Sequence, residues 1–264
     1  MMSRRMATVP GEFPGELPPE DGGEQPSRCE GADIFGGLPG MAPFVVLSCA
    51  VAGQLLRVPG VPFPLTPSPA GLWRVDEAAG AVSVSAQPRT DIFIDPGNGA
   101  GGAGAALNAE SMLNAATLLG DVPDGDFQLS ARVTVDFAAT FDAGVLLLWL
   151  DERHWGKLCF EFSPAGEPMV VSVVCRGVSD DANAFTVPGR SAWLRVSRID
   201  RAYAYHASLD GKAWRMIRVF VLHDQAARDR IGFEGQSPTG DGCSVSFDEI
   251  RFLPERLADL RDGS

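Results

Sequence analysis

The residues with the clearest potential for chemistry lie in one predicted strand, residues 154–162. Side chains alternate between the two faces of a strand, and one face of this strand is aromatic, polar or charged. Its members are Trp155, Lys157, Cys159 and Glu161. An aromatic ring can cover the apolar face of a sugar ring, while charged groups hold its hydroxyls. The stripe therefore predicts a carbohydrate-binding groove.

Nearby segments extend this predicted groove. Ser172 and Arg176 lie in the next predicted strand, and a polar loop over residues 179–183 follows it. This loop has fewer oxygen ligands than the six or more that Ca²⁺ takes, so we predict that it forms the groove's rim and binds no metal. A turn capped by its own side chains is the alternative. The predicted ligand-binding residues are Trp155, Lys157, Glu161, Ser172, Arg176, Ser179 and Asp180.

A structural role for the same charges is a second interpretation. Charged groups are tolerated on a partly buried face when they are paired. The expected members of such an ion-pair network are Lys157, Glu161, Arg176 and Arg195. The two interpretations are compatible, because a paired network that lines a groove is also a binding surface.

Catalytic patterns are weak, so the sequence favours a binding module over an enzyme. Glycoside hydrolysis needs two carboxyl groups about 5–10 Å apart. Glu161 has no such partner on its own strand, and nothing in the sequence singles out Asp142 on another. The three histidines have neither metal-ligand nor nucleophile-activating spacing, and the glycine-rich segment 97–104 lacks the ending of a phosphate loop. We predict no catalytic residue, metal or cofactor; a hydrolase or lyase that uses Glu161 remains an alternative.

Charge and cysteine content exclude several partners. Lys and Arg number 22 against 34 Asp and Glu, a net charge of −12, which repels nucleic acids and anionic membranes. The five scattered cysteines include no C-x-x-C pair, which argues against a zinc site and favours a reducing compartment, here the cytoplasm. The apolar run 44–56 is shorter than the about 20 residues that cross a bilayer, and it lies too deep in the chain for a signal peptide.

The elements that would position these residues are short strands. Residues 1–60 are rich in Pro, Gly and Glu and predict a disordered tail, although the run 44–56 could add a short helix or a docking strand. Residues 61–254 alternate between β-rich runs and turn signals every eight to twelve residues, which predicts one all-β sandwich. Asp-Gly at 210–211 predicts a hairpin, and 255–264 a short C-terminal tail.

A family resemblance adds to this prediction. The segments that establish it are, in order, Asp91–Pro96, Gly125–Val133, Phe141–Val145, Trp155–Glu161, Val171–Arg176, Ser179–Asp181, Ser208–Trp214 and Phe247–Phe252. Over about residues 63–252 the chain resembles the DUF1349 family, which includes YesU-like and regulation-of-enolase-like proteins. The resemblance implies a concanavalin A-like jelly roll of two curved antiparallel sheets, with the groove on the concave sheet. It implies no established catalytic activity.

The same resemblance suggests two roles. One is a carbohydrate-binding protein linked to carbohydrate metabolism, and the other is a regulatory module that binds a metabolic enzyme. One position departs from the family pattern, since Cys175 stands before Arg176 where such proteins usually have Thr. A role that depends on this hydroxyl therefore does not transfer to this chain.

Overall fold

The structure is a computed structural model that describes residues 47–49, 54–97, 111–222 and 228–264. Two large antiparallel sheets account for most of these residues. The predicted all-β sandwich is confirmed. In the described ranges, no helix has the length and apolar character needed to cross a bilayer.

The first sheet has eight strands. In spatial order they are β1 (Leu47–Cys49), β3 (Leu72–Asp76), β4 (Ala81–Ala86), β17 (Cys243–Leu253), β8 (Phe127–Asp136), β13 (Ser191–Ile199), β14 (Ala202–Ser208) and β15 (Arg215–Phe220). Neighbours that are distant in sequence, such as β17 between β4 and β8, give the sheet its long-range crossovers.

The second sheet has seven strands, and a short hairpin stands apart from both sheets. The seven strands are β12 (Ser179–Thr186), β11 (Pro168–Arg176), β10 (His154–Phe162), β9 (Ala143–Asp151), β16 (Arg230–Gln236), β7 (Ala116–Asp121) and β2 (Thr66–Pro67). The hairpin pairs β5 (Ile92–Phe93) with β6 (Met112–Leu113).

Alternating side chains build the core between the two sheets. In β8, Leu129, Ala131 and Val133 are buried in this core, whereas the residues between them point to the opposite face. Aromatic contacts join the sheets, as where the rings of Phe233 and Phe247 lie 4.8 Å apart. Burial of apolar surface of this kind is the main force that stabilises a sandwich.

The seven-stranded sheet is also apolar on its outer face. A second cluster of buried residues there includes Val145 and Leu147 of β9, Trp155 of β10, and Ile92 of the hairpin. Strand β10 is therefore covered on both faces, which explains why six of its nine residues are buried and only those at its two ends are partly exposed.

Both ends of the sandwich extend past the predicted boundaries. Strand β1 pairs with β3, and Leu56 and Val58 are buried in the core, so structure begins before the predicted start at residue 61. The predicted docking strand within 44–56 is found at residues 47–49. The rest of the predicted tail, up to residue 46, lies outside the described residues. At the other end, Leu257 of the predicted C-terminal tail is 4% exposed.

The predicted Asp-Gly hairpin forms, but its loop is longer than two residues. Strands β14 and β15 pair across a connection of residues 209–214, in which Gly211 alone has a positive φ, of 70°. The Asp210 carboxylate accepts hydrogen bonds from the backbone N–H groups of Lys212 and Ala213, at 2.9 and 2.8 Å. These bonds hold the pKa of Asp210 down at about 2. A side chain therefore closes this turn where a tight turn would rely on backbone conformation alone.

Candidate functional site

The most unusual side chain of the seven-stranded sheet is a buried lysine. Lys157 is 2% exposed, and its Nζ donates to Asp91 Oδ1 at 2.8 Å and to Gln236 Oε1 at 2.9 Å. Asp91 immediately precedes the hairpin, and Gln236 ends β16. Burial by itself lowers the pKa of Lys157, but attraction to Asp91 and then Glu234 outweighs it and raises the pKa. The ammonium group therefore stays charged inside the protein.

Glu234 lies beside this ammonium group and is fully buried. It faces Val145 of β9, which in turn faces Cys159 of β10, so Glu234 shares the outer face with the predicted stripe. Neither carboxyl oxygen of Glu234 has a hydrogen-bond partner among the described residues. Burial raises the pKa of Glu234 to about 8, against the opposing attraction of Lys157. The carboxyl group is thus mostly protonated at neutral pH.

Two further carboxyl groups complete the site. Glu161 is half-buried on β10, and burial raises its pKa to about 8, with Lys157 opposing the shift and Asp181 adding to it. Asp181 of β12 lies opposite Val173, which lies opposite Lys157. Asp181 is exposed as a residue, yet partial dehydration of its carboxyl raises the pKa. We call Asp91, Lys157, Glu161, Asp181, Glu234 and Gln236 the Lys157 cluster.

The Lys157 cluster has more acidic groups than its cation can pair with. Lys157 is its one basic residue and pairs with Asp91, so both carboxyl oxygens of Glu234 keep hydrogen-bonding capacity that no described side chain uses. Protonated carboxyl groups both donate and accept hydrogen bonds. The described residues include no group of three or more His, Cys, Asp or Glu side chains arranged to hold a metal ion. The arrangement suits a ligand with many hydroxyl groups.

Trp155, which the sequence predicts as the groove's aromatic surface, is buried. Trp155 lies on the predicted face, but it has no exposed surface, because it packs in the outer apolar cluster with Ile92 and Cys175. The prediction of an open aromatic platform at Trp155 is therefore wrong. Alternation gave the correct face of the strand, but it could not show that the hairpin and neighbouring strands cover this position.

Two predicted residues face away from the site. Ser172 lies opposite Leu158 and is 2% exposed on the core side, and Arg176 lies opposite His154 at the exposed end of β11. Residues directly opposite each other share a face, so the register of β10 with β11 separates Ser172 and Arg176 from Lys157. The prediction that they line the same groove needs this correction.

The predicted rim loop is strand β12, and its residues divide between two roles. The Ser179 hydroxyl is buried and accepts a hydrogen bond from the N–H of Ile94 at 2.9 Å. Asp180 lies opposite the core residue Val174 and pairs with Arg218 at 2.9 Å. The next residue, Asp181, is part of the Lys157 cluster.

The predicted ion-pair network of Lys157, Glu161, Arg176 and Arg195 does not form as predicted. Lys157 pairs with Asp91, and Arg195 lies in the other sheet.

Sequence reasoning missed three members of the cluster, namely Asp91, Glu234 and Gln236; Asp181 lay in the predicted rim loop 179–183 but was not among the predicted binding residues. Glu234 and Gln236 had a usable signal, because they alternate with the apolar Ile231 and Phe233 in one strand. Asp91 had no such signal, because it lies 66 residues from Lys157 in the chain and only the fold brings the two together.

Comparison with known proteins gives one family and several similar folds. The model of the family described as "Protein of unknown function (DUF1349)" matches residues 69–255. "Regulation of enolase protein 1" of Saccharomyces cerevisiae is 29% identical over 126 residues, which cover 47% of this chain and 62% of that protein. The match thus spans less than two thirds of this relative.

Two solved structures show the same fold. The crystal structure of a functionally unknown protein from Saccharomyces cerevisiae has a TM-score of 0.61 at 21% identity, covering 73% of this chain and 97% of that one. A xylan beta-1,4-xylosidase from Bacillus halodurans has a TM-score of 0.51 at 11% identity, covering 68% of this chain and 36% of that one. The sandwich thus corresponds to about a third of the xylosidase chain.

Proposed function

The chain belongs to the DUF1349 family, and from this premise we propose that it is a carbohydrate-binding module whose ligand contacts the Lys157 cluster. The observation that supports the proposal most directly is Glu234, fully buried with both carboxyl oxygens unpartnered. An unpartnered buried polar group costs about 1–3 kcal/mol. Glu234 has no exposed surface, so a ligand would not bond to it directly; the cost indicates that the polar character of the Lys157 cluster serves a role other than stability.

Carbohydrate hydroxyls fit the charge state of the cluster. Each hydroxyl donates one hydrogen bond and accepts others, and the carboxyl group of Glu161 can do both at neutral pH. Lys157 is already paired with Asp91, so a neutral ligand needs no further counter-ion. The net charge of −12 also supports a neutral ligand over a nucleic acid or an anionic membrane.

The accessible part of the proposed site is its edge. Glu161 is half-buried and Asp181 is exposed, whereas Lys157 and Glu234 lie beneath them. We expect the sugar to contact Glu161 and Asp181 directly. The ion pair of Lys157 and Asp91 lies beneath Glu161 and Asp181. Its electrostatic field would hold these two side chains in place.

We also propose a cytoplasmic location. Cys159, Cys175 and Cys243 are free thiols buried in the sandwich. Burial raises the pKa of Cys243 to about 12, so its thiol stays protonated and unreactive. Unpaired, buried thiols are typical of proteins in a reducing compartment.

The ligand proposal predicts a contrast between two neighbouring aspartates. We expect Asp181→Asn to weaken glycan binding about 10- to 100-fold, since a hydrogen bond to a charged group contributes about 1.5–3 kcal/mol. Glu161→Ala, which removes a neutral carboxyl, should weaken it about 2- to 10-fold, since a neutral hydrogen bond contributes about 0.5–1.5 kcal/mol. Asp180→Asn is the matched control, because Asp180 faces away from the cluster and pairs with Arg218. A glycan array identifies the ligand and titration calorimetry measures its affinity. Xylo-oligosaccharides enter the panel first, because one fold neighbour is a xylosidase.

Two results would contradict the carbohydrate proposal. One is a well-folded protein that binds no member of the array. The other is a ligand whose affinity falls as much in Asp180→Asn as in Asp181→Asn, because the site would then lie on a different surface. Circular dichroism of each variant shows whether the sandwich is intact.

The yeast relative supports a second candidate function, the binding of a metabolic enzyme. Its name is "Regulation of enolase protein 1", and it is 29% identical over the matched residues. If this chain also binds an enolase, surface plasmon resonance should detect saturable binding at micromolar or lower concentration. The enolase should come from the organism that produces this chain. The absence of binding at about 100 μM enolase would exclude a specific complex of ordinary strength.

A further inference from the structure

A buried cation without an acidic partner lies on the outer face of the eight-stranded sheet. Arg195 of β13 is 7% exposed, and no carboxylate among the described residues pairs with it. Its Nη2 donates to the carbonyl oxygen of Gly263, and its Cζ lies 4.2 Å from the ring centre of Trp214. Its Nε has no hydrogen-bond partner among the described residues. Burial lowers the pKa of Arg195 to about 10. Buried charges in proteins are normally paired, so this guanidinium lacks a counter-ion.

Two other buried polar groups with unused capacity surround it. Ser197 is the next residue on the same face of β13, and His206 of β14 lies directly opposite Arg195. Both are fully buried, and in the part of the chain that the structure describes neither Ser197 Oγ nor His206 Nδ1 has a hydrogen-bond partner. Alternate residues of a strand are about 7 Å apart and cross-strand diagonals about 7–8 Å, so the three side chains form one patch.

This patch is rich in hydrogen-bond donors. Arg195 Nε–H and the Ser197 hydroxyl are unused donors. His206 Nε2 lies 2.9 Å from the carbonyl oxygen of Leu260, so this nitrogen bears the proton in the neutral ring. Burial and the neighbouring Arg195 lower the pKa of His206, so Nδ1 is an acceptor in the neutral ring and becomes a donor only when a bound anion favours its protonation. The two unused donors and the positive charge of Arg195 are the complement of an oxyanion.

The C-terminal residues and Trp214 cover the patch. Residues 255–264, which we call the C-terminal strap, cross the outer face of the sheet. Over the patch itself, the strap's hydrogen bonds come from backbone carbonyls: Leu260 to His206 and Gly263 to Arg195. Beside the patch, the Glu255 carbonyl accepts from Gln128, and the Arg256 side chain pairs with Asp126 and Asp200. A carbonyl oxygen bears only a partial negative charge, so it neutralises Arg195 incompletely. Among the strap's side chains, Leu257 alone is buried, and the ion pairs of Arg256 are exposed and contribute little, so the strap can move aside.

We propose that Arg195, Ser197 and His206 form a binding site for the phosphate or carboxylate group of a small molecule, and that displacement of the C-terminal strap opens it. The carbonyl oxygens of Leu260 and Gly263 occupy the positions that oxyanion oxygens would take. Stacking on Trp214 holds the guanidinium plane in place, as an arginine that binds an oxyanion through two nitrogens requires. This site lies on the opposite sheet from the Lys157 cluster, so it is independent of the proposed carbohydrate function.

The test uses the full chain with inorganic phosphate as the probe, at constant ionic strength. We expect phosphate at ten times its Kd to raise the Tm by about 3–5 °C. Arg195→Met should abolish this shift. Arg190→Met is the matched control, because Arg190 precedes the same strand, is exposed, and pairs with Asp136 on the surface. A parallel titration with acetate distinguishes a carboxylate site from a phosphate site.

Two further variants keep the proposal testable if Arg195→Met does not fold. Ser197→Ala removes an unpartnered hydroxyl, so it should fold normally and bind phosphate about 5- to 10-fold more weakly. Leu257→Ser weakens the strap's anchor, so more molecules are open and the apparent affinity should rise about tenfold.

The two variants distinguish a real oxyanion site from its absence. A phosphate affinity that is unchanged in Ser197→Ala and Leu257→Ser would overturn the proposal. So would the absence of saturable phosphate or acetate binding to Leu257→Ser, in which the site is most accessible. Weaker binding in Ser197→Ala together with tighter binding in Leu257→Ser would support it.

Discussion

Lys157→Met is expected to lower the free energy of unfolding by about 3–5 kcal/mol, the usual cost of removing one partner from a buried ion pair. Methionine nearly matches the length of lysine, so little volume is lost. The substitution leaves the Asp91 carboxylate and the Gln236 side-chain oxygen without their donor. It also removes the one positive charge that offsets Glu161 and Glu234. The effect is therefore electrostatic, and it should not depend on cavity formation.

The chain's other lysine provides the control for this experiment. Lys212 is exposed in the loop between β14 and β15, so Lys212→Met should change stability by no more than about 0.5 kcal/mol. Urea denaturation followed by far-UV circular dichroism measures both variants. If Lys157→Met lowers the free energy of unfolding by less than about 1 kcal/mol, the ion pair of Lys157 with Asp91 does not stabilise this sheet.

The second large effect is a fall in stability between about pH 5 and pH 8, caused by the buried carboxyl of Glu234. Its pKa is about 8 in the folded protein, against an ordinary value of 4.5. Below pH 4.5 the group is protonated in both states. Between these values the unfolded chain releases the proton and the folded protein keeps it. Each pH unit in this interval then favours unfolding by up to about 1.4 kcal/mol, and the loss levels off above pH 8.

Glu234→Gln removes this titration while keeping the shape of the side chain. Between pH 5 and pH 8, the free energy of unfolding should fall by about 2–4 kcal/mol less in the variant than in the wild type. Glu77→Gln, at an exposed turn position, should leave the wild-type slope unchanged. Urea denaturation at pH 5, 6.5 and 8 measures the slopes. Parallel curves for the wild type and Glu234→Gln would show that Glu234 ionises normally, contrary to its burial.

Both effects depend on a site that sequence reasoning found only in part. Alternation along β10 correctly grouped Lys157 with Glu161 and assigned Leu158 and Phe160 to the core. It could not identify Asp91 as the partner of Lys157, because that contact depends on where the hairpin of β5 and β6 packs. It also grouped Ser172 and Arg176 with the wrong face. A shift of one residue in strand register moves every side chain to the other face, and no local pattern specifies that register.

The sequence by itself determined the class of fold, because the two-residue alternation of strands such as 82–86 and the turn signals between them depend only on neighbouring residues. It also determined which face of β10 is polar. Only the tertiary structure decided which of those polar groups are buried and what they meet. Glu234 reaches Lys157 across the intervening strand β9, and the C-terminal strap closes over Arg195. Burial and partnership arise from segments far apart in the chain, and these properties decide whether a charged side chain is a surface group, a structural ion pair or part of a binding site.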